Sequence, residues 1–192
     1  MSSREKILRI ATGGILIALS TVLSFIRLFR LPMGGSVTAA SLLPLVLAGF
    51  LFGPVWGVVI GAAHGLLQFL LSGEGALSIW SLLLDYPVAF GLIGLAGLFA
   101  LSKQEREELP LQLRLAKLPL MKLILGTCVG ILGRFVASFF SGIIFYYMYA
   151  GDMHPVLYSL LYNLSYNVPE IVITVLVLLL IRGALCYRKR QA

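Results

Sequence analysis

Charged residues are scarce in this chain: Asp, Glu, Lys and Arg make up 12% of its 192 residues, whereas 59% are hydrophobic. A soluble domain of this length normally carries about a quarter charged residues. A soluble core could not bury this much apolar surface, so the surrounding solvent must be lipid. We therefore expect an integral membrane protein, with its first apolar segment retained in the mature chain.

The residues that carry most enzyme and metal chemistry are also few. Cys128 and Cys186 have no metal-site or disulfide spacing, and His64 and His154 are too few for a catalytic metal centre. No P-loop, nucleophile elbow or Cys-His pairing is present. The net charge of +7 could suggest nucleic acid, but the basic residues cluster at helix ends and in loops. We predict no enzyme, no cofactor and no nucleic-acid partner.

Apolar runs predict an all-α fold of six transmembrane helices. A spanning helix needs about 20 mostly apolar residues. The candidate spans are residues 7–25, 39–52, 54–71, 79–101, 118–149 and 155–181, of which the second is short. A Gly-Pro pair predicts a tight turn between spans two and three, and residues 102–117 form the one long charged loop. The whole chain, 1–192, is predicted to be a single membrane domain.

The basic residues outside the spans predict the orientation. With six spans, both termini share a side with the 102–117 loop. Twelve basic residues lie on that side: Arg4, Lys6, Arg9, Lys103, Arg106, Arg114, Lys117, Lys122, Arg182, Arg188, Lys189 and Arg190. Only Arg27 and Arg30 lie on the other. Because short cytoplasmic loops carry the excess of Lys and Arg, both termini are predicted to be cytoplasmic.

Three charged residues fall at membrane depth inside predicted spans, away from the cytoplasmic ends: Asp85, Arg134 and Glu170. A charge at membrane depth costs a few kcal/mol or more, so it faces protein or a cavity and is a functional candidate. Asp85 stands in "LLLDYPVAF", where Pro87 removes a backbone donor and loosens the helix. The alternative is an internal ion pair that only fixes helix packing.

Aromatic residues repeat at helical spacing in span six. Tyr158, Tyr162 and Tyr166 recur every four residues on one face, and Asn163 and Asn167 flank them. An interfacial aromatic belt explains other rings at these helix ends, but asparagines in lipid need partners. A carboxylate, amides and rings near the outer leaflet favour a site for a flat cationic or amide-bearing molecule.

His64 and the small residues give weaker signals. A lone histidine in a span is more often a hydrogen-bonded packing residue than a ligand, and Gln68, one turn on, could be its partner. Gly14 and Ala18 are four residues apart on span one, and span three has glycines in the same pattern. Such faces allow close helix approach, within the monomer or to another membrane protein.

Several motifs together resemble one family, the substrate-binding membrane component of energy-coupling factor vitamin transporters, specifically the thiamine type. These motifs are "LPMGGSVTAASLLPLVLAG", "HGLLQFLL", "LLLDYPVAFGLIGLAG", "GRFVASFFSGIIF" and "YSLLYNLSYNVPEIVIT". The resemblance implies a bacterial cell-membrane protein with six helices, a vitamin pocket near the outer face and no catalysis. It also implies partners: a second membrane subunit, which docks on a small-residue motif of span one (here Gly14 to Ala18), and two ATPases.

The same resemblance implies that the pocket is formed by the loop after span one and by spans four to six, and it assigns individual positions. They are Asp85 and Tyr86 of span four, Arg134, Ser138, Gly142 and Tyr146 of span five, and Tyr158 and Asn163 of span six, with His64 near an aromatic position of the cavity. Some relatives carry Glu, His and Trp at the positions of Asp85, Ser138 and Tyr146. With its own residues at these positions, this chain keeps the negative charge and one aromatic ring.

Thiamine would account for a carboxylate in an apolar span. Its thiazolium is cationic and its aminopyrimidine can hydrogen-bond a carboxylate, so Asp85 would supply both charge and acceptor while Tyr86 adds a ring and a hydroxyl. Three alternatives remain at this stage. They are the same transporter class with another vitamin or a precursor such as hydroxymethylpyrimidine, a self-contained channel or secondary carrier, and an intramembrane enzyme, which the missing motifs disfavour.

Overall fold

The computed structural model describes residues 3–32, 35–73 and 77–191. Part of the predicted loop after span one, 33–34, and part of the link between spans three and four, 74–76, lie outside the described residues. The elements, in chain order, are α1 (Ser3–Phe25), β1 (Arg27–Arg30), β2 (Ser36–Thr38), α2 (Leu43–Phe52), α3 (Pro54–Ser72), α4 (Ile79–Leu83), a π-helical segment (Leu84–Val88), α5 (Ala89–Ile93), a 3-10 segment (Gly94–Phe99), α6 (Lys103–Glu108), α7 (Leu111–Lys117), α8 (Leu120–Phe145), a 3-10 turn (Tyr147–Ala150) and α9 (Pro155–Gln191).

Among the described residues, five helical stretches are long and apolar enough to cross a membrane. They are Glu5–Phe25, Pro54–Ser72, Ile79–Phe99, Leu120–Phe145 and Pro155–Arg188. The second predicted span forms α2, whose 10 residues include eight that are buried. At about 1.5 Å per residue this helix is roughly 15 Å long, half of a bilayer core. Its apolar run therefore reflects burial within the bundle, and the count of six spans stays a prediction.

Glycines of α3 bring it into backbone contact with the stretch Ile79–Phe99, which corresponds to predicted span four. A Cβ on Gly61 would lie 2.3 Å from the carbonyl oxygen of Phe90, and a Cβ on Gly65 would lie 2.3 Å from that of Tyr86. Neither position tolerates a side chain without backbone movement. This close approach fixes the position of the π-helical segment, which contains Asp85.

The small residues of α1 have a different environment. Gly14 and Ala18 are both exposed, and nothing lies within 4 Å of where a Cβ on Gly14 would stand. The small-residue face of α3 is therefore used inside the chain, whereas that of α1 faces away from it.

A short antiparallel hairpin follows α1, where the sequence predicted only a loop. Arg27 of β1 pairs with Thr38 of β2, and Arg30 pairs with Ser36. All four β1 residues are exposed, whereas β2 is partly to fully buried. The hairpin therefore contacts the bundle through β2.

The charged loop, 102–117, forms two short helices. Ser102 and Glu105 make a capping box at the start of α6, and Lys117 lies 2.9 Å from the Glu105 carboxylate. Lys117 and Ser102 together lower the pKa of that carboxyl to about 2. Arg114 is buried and donates to the carbonyl oxygens of Leu51, near the end of α2, and Leu109, at 2.9 and 3.1 Å. A cation at a helix C-terminus complements its unpaired carbonyls.

Candidate solute-binding cavity

A cavity of about 540 Å³ lies among the hairpin, α3, the stretch Ile79–Phe99, α8 and α9. Small-molecule sites in proteins typically occupy about 300–1,000 Å³. Its lining residues are Gly35, Ser36, Gln68, Ser72, Asp85, Tyr86, Phe90, Arg134, Ser138, Gly142, Tyr146, Tyr149, Tyr158, Ser159, Tyr162, Asn163 and Tyr166. The structure thus brings together the predicted positions of spans four, five and six.

The π-helical segment presents Asp85 and Tyr86 to this cavity. Pro87 lies within the segment and has no backbone N–H to donate, so a wider turn is accommodated there. The Ser141 hydroxyl donates to Asp85 Oδ2 at 2.8 Å. The Phe69 ring meets the Tyr86 ring edge to face at 5.2 Å, which fixes its orientation.

Arg134 faces rings rather than a carboxylate. Its guanidinium carbon lies 4.9 Å from the centre of the Phe90 ring and 5.2 Å from that of Tyr166. One of its nitrogens donates to Asn167 Oδ1 at 3.3 Å. Within the described part of the chain, no ion pair joins Arg134 to Asp85 or Glu170. The internal ion pair considered from the sequence is therefore not formed there, and the Asp85 carboxyl group faces the cavity without a paired cation.

The tyrosine stripe of α9 lines the cavity as a continuous surface. The rings of Tyr158 and Tyr162 stack at 6.1 Å, and Tyr162 meets Tyr166 edge to face at 5.6 Å. The Tyr166 hydroxyl donates to Asn163 Oδ1 at 2.5 Å, and Asn163 Nδ2 donates to the Ser159 carbonyl at 2.9 Å. These bonds satisfy the buried amide, leaving ring faces as the main contact offered to a solute.

His64 lies one ring away from the cavity and does not line it. It is 1% exposed, and its ring nitrogens lie 3.3 Å from Ser20 Oγ and 3.4 Å from Thr21 Oγ1 of α1. Its ring contacts Phe90 edge to face at 5.0 Å, and Phe90 lines the cavity. This is the environment of a hydrogen-bonded packing residue between α1 and α3.

A side chamber of about 260 Å³ adjoins the main cavity beneath the hairpin. The two share six lining residues, which are Ser36, Gln68, Ser72, Phe90, Arg134 and Tyr166. Gln68 Nε2 donates to Ser24 Oγ at 2.7 Å, so the suggested pairing of Gln68 with His64 is wrong. Glu170 also lines the chamber.

Some site residues were not anticipated from the sequence. Ser141, the donor to Asp85, lies seven residues after Arg134 and three after Ser138, so all three share one face of α8. That spacing could have identified it. Gly35 and Ser36 enter the cavity wall through the hairpin. The family resemblance implied that the loop after span one contributes to the pocket, but it identified neither these two residues nor the hairpin.

The cavity can hold a flat organic solute with positive charge. It offers one carboxylate, one guanidinium held by rings, and several tyrosine faces. Among the described residues, no group of three or more His, Cys, Asp or Glu side chains could hold a metal ion. The fold and cavity together define a helical membrane protein with a cavity of ligand size between its helices.

Comparison with known proteins narrows this class. Residues 10–188 match the family described as "Thiamine transporter protein". The chain is 31% identical over 184 residues to the thiamine transporter ThiT of Bacillus subtilis (strain 168), covering 94% of this chain and 93% of that protein. A solved structure of ThiT from Listeria monocytogenes has the same fold, with a TM-score of 0.74 and 22% identity, covering 93% of this chain and 96% of that one.

The chain belongs to the thiamine transporter protein family. This confirms the thiamine-type resemblance read from the sequence motifs, and the expectation of a transport protein rather than an enzyme. With its long apolar helices, the chain is a multi-pass protein of the bacterial cell membrane.

Proposed function

We propose that this chain binds thiamine in the 540 Å³ cavity and is the substrate-capturing subunit of an energy-coupling factor importer. The observation that carries the proposal is the position of Asp85. Its carboxylate lines a cavity walled by tyrosine rings, and no cation neutralises it in an ion pair among the described residues. A buried carboxylate of this kind favours a cationic solute.

Each part of thiamine finds a chemical partner among the lining residues. The carboxylate of Asp85 accepts hydrogen bonds from the aminopyrimidine and offsets the thiazolium charge. The rings of Tyr86, Tyr158 and Tyr162 supply stacking and cation–π surface. Asn163 lies in the same wall, where its bonds to Tyr166 and Ser159 hold the lining in place. We propose Ser138, Gly142 and Tyr146 of α8, with Arg134, as the facing wall.

Direct binding measurements on the purified protein test this assignment. Calorimetric titration with thiamine should give saturable one-to-one binding, and hydroxymethylpyrimidine should compete more weakly because it lacks the thiazolium. Stronger binding of hydroxymethylpyrimidine than of thiamine would transfer the site to the precursor. If neither thiamine nor hydroxymethylpyrimidine binds, the proposed function is wrong.

The proposed orientation places both termini and the 102–117 loop in the cytoplasm and the cavity near the outer face. The twelve-to-two distribution of basic residues supports it. In a background lacking Cys128 and Cys186, an impermeant maleimide applied to whole cells should label Asp152→Cys and not Gln104→Cys. Both positions are exposed, and Gly151 is avoided because its φ of 57° disfavours other residues. The opposite labelling pattern would invert the topology.

The exposed small face of α1 is the proposed docking surface for the membrane coupling subunit. Gly14→Leu or Ala18→Leu adds bulk there without a clash inside the chain, so thiamine binding should be retained while uptake with the partner subunits falls at least tenfold. Gly183→Leu is the matched control, because Gly183 of α9 is likewise exposed with nothing within 4 Å of its Cβ position. Equal uptake by all three variants would move the docking surface elsewhere.

A further inference from the structure

Glu170 has an environment that the proposed ligand contacts do not explain. It lies midway along α9, only 3% exposed, and its Oε1 accepts two hydrogen bonds from one residue of β2. The backbone N–H of Thr38 donates at 2.6 Å and the Thr38 hydroxyl at 2.5 Å. Hydrogen bonds to a carboxylate are shorter and about twice as strong as neutral ones. The side chain of Glu170 therefore ties the hairpin to α9.

The same strand forms part of the cavity wall. Gly35 and Ser36, three and two residues before Thr38, line the cavity. A Cβ on Gly35 would lie 3.0 Å from Cδ1 of Tyr166, which is itself a cavity residue one helical turn before Glu170. The hairpin segment thus meets α9 at two successive turns, first through a ring and then through the carboxylate.

The hairpin is held to the bundle through β2, where the Val37 side chain is buried beside Thr38. A two-stranded hairpin is marginally stable by itself in water. The four residues of β1, Arg27–Arg30, are all exposed, so β1 adds no buried surface. The bonds from Thr38 to Glu170 are consequently a main constraint on the position of the 35–38 segment.

From these contacts we infer that Glu170 is a positioning residue for the solute site: by holding Thr38 it keeps the 35–36 segment closed against Tyr166 and slows ligand release. The inference rests on the proposed function, because thiamine is the ligand whose release it describes. Glu170 acts here through Thr38 and not by touching the ligand.

Dissociation kinetics of the purified full-length protein test the inference. Release of radiolabelled thiamine into excess unlabelled thiamine should be about tenfold faster for Glu170→Gln and for Thr38→Val, because each weakens the charge-assisted pair. The double variant should be no faster than the worse single one, since both changes break the same contact. Thr38→Ser keeps the hydroxyl and should restore slow release.

Thr174→Val is the matched control. Thr174 lies one helical turn after Glu170, is fully buried, and its hydroxyl has no hydrogen-bond partner in the described structure. Its removal should leave release unchanged. Hydrogen–deuterium exchange of the 35–39 amides in ligand-free protein adds a readout independent of the ligand, and should be faster in Glu170→Gln and Thr38→Val only.

Three results would overturn the inference. Faster release in Glu170→Gln with normal release in Thr38→Val would mean that Glu170 contacts the ligand itself. Lower melting temperatures with unchanged release would make the pair purely structural. Unchanged amide exchange would show that the hairpin is held by other contacts. If the parent protein binds no thiamine, the proposed function fails instead, and amide exchange still decides whether Glu170 holds the hairpin.

Discussion

Thiamine should bind the Asp85→Asn variant about 10- to 100-fold more weakly than the parent protein. The substitution keeps the side chain's shape and a hydrogen-bonding group but removes the negative charge. A hydrogen bond to a charged group contributes about 1.5–3 kcal/mol, and each 1.4 kcal/mol is tenfold in affinity. Calorimetric titration of both proteins measures the difference.

The site geometry sharpens this expectation. The Ser141 hydroxyl donates to Asp85, and no cation pairs with it in the described chain, so the folded protein does not depend on this charge for an ion pair. We therefore expect Asp85→Asn to fold and to melt, without ligand, close to the parent temperature. Asp152→Asn, at an exposed position beyond α8, removes the same charge away from the cavity and serves as the control.

Ligand analogues separate a charge effect from a shape effect. An analogue without the thiazolium should lose less affinity on Asp85→Asn than thiamine does. Arg134→Gln provides a second check: if Asp85 only balanced Arg134, the double variant would recover stability lost by the single one. Normal thiamine affinity with a lowered melting temperature would show that Asp85 is structural.

The long helices could be predicted from the sequence because lipid imposes a simple requirement. A segment that crosses the bilayer must be apolar over about 20 residues and must satisfy its own backbone hydrogen bonds. Apolarity alone does not distinguish a lipid-facing helix from a buried one, however. Residues 39–52 were therefore predicted to be a span, although α2 is ten residues long and buried among other helices.

The cavity residues of the long helices were predictable for a related reason. Polar and charged groups are costly in a span, so Asp85 and Arg134 stood out as members of a site. The four-residue spacing of the tyrosines placed their rings on one face, which does line the cavity. His64 was assigned near the cavity by the family resemblance alone, and Ser20 and Thr21 of α1 lie beside it, away from the cavity.

Contacts between distant segments could not be read from one sequence. Thr38 and Glu170 are 132 residues apart, and no local pattern indicates that they meet. The hairpin was missed because β1 is only four residues long and exposed on every side chain, so it has no alternation of apolar and polar residues. The sequence signalled a weakened helix at Pro87 but not the π-helical geometry that follows from it.

The isolated chain is predicted to bind thiamine but not to concentrate it. A hundredfold gradient corresponds to about 2.8 kcal/mol per molecule, which must come from an energy source. The sequence contains no P-loop for nucleotide binding.

Uptake into proteoliposomes measures this directly. Vesicles containing only this chain should not accumulate radiolabelled thiamine above its external concentration, whether a proton gradient, a sodium gradient or internal ATP is supplied. Vesicles that also contain the coupling subunit and both ATPases should accumulate it when ATP is present on the cytoplasmic side. The Gly14→Leu chain should bind thiamine yet accumulate it at least tenfold less in the second set, because the added bulk would block its proposed docking face. Accumulation by the chain alone under an ion gradient would make it a secondary carrier, since only a self-contained ion-coupled cycle could supply that free energy.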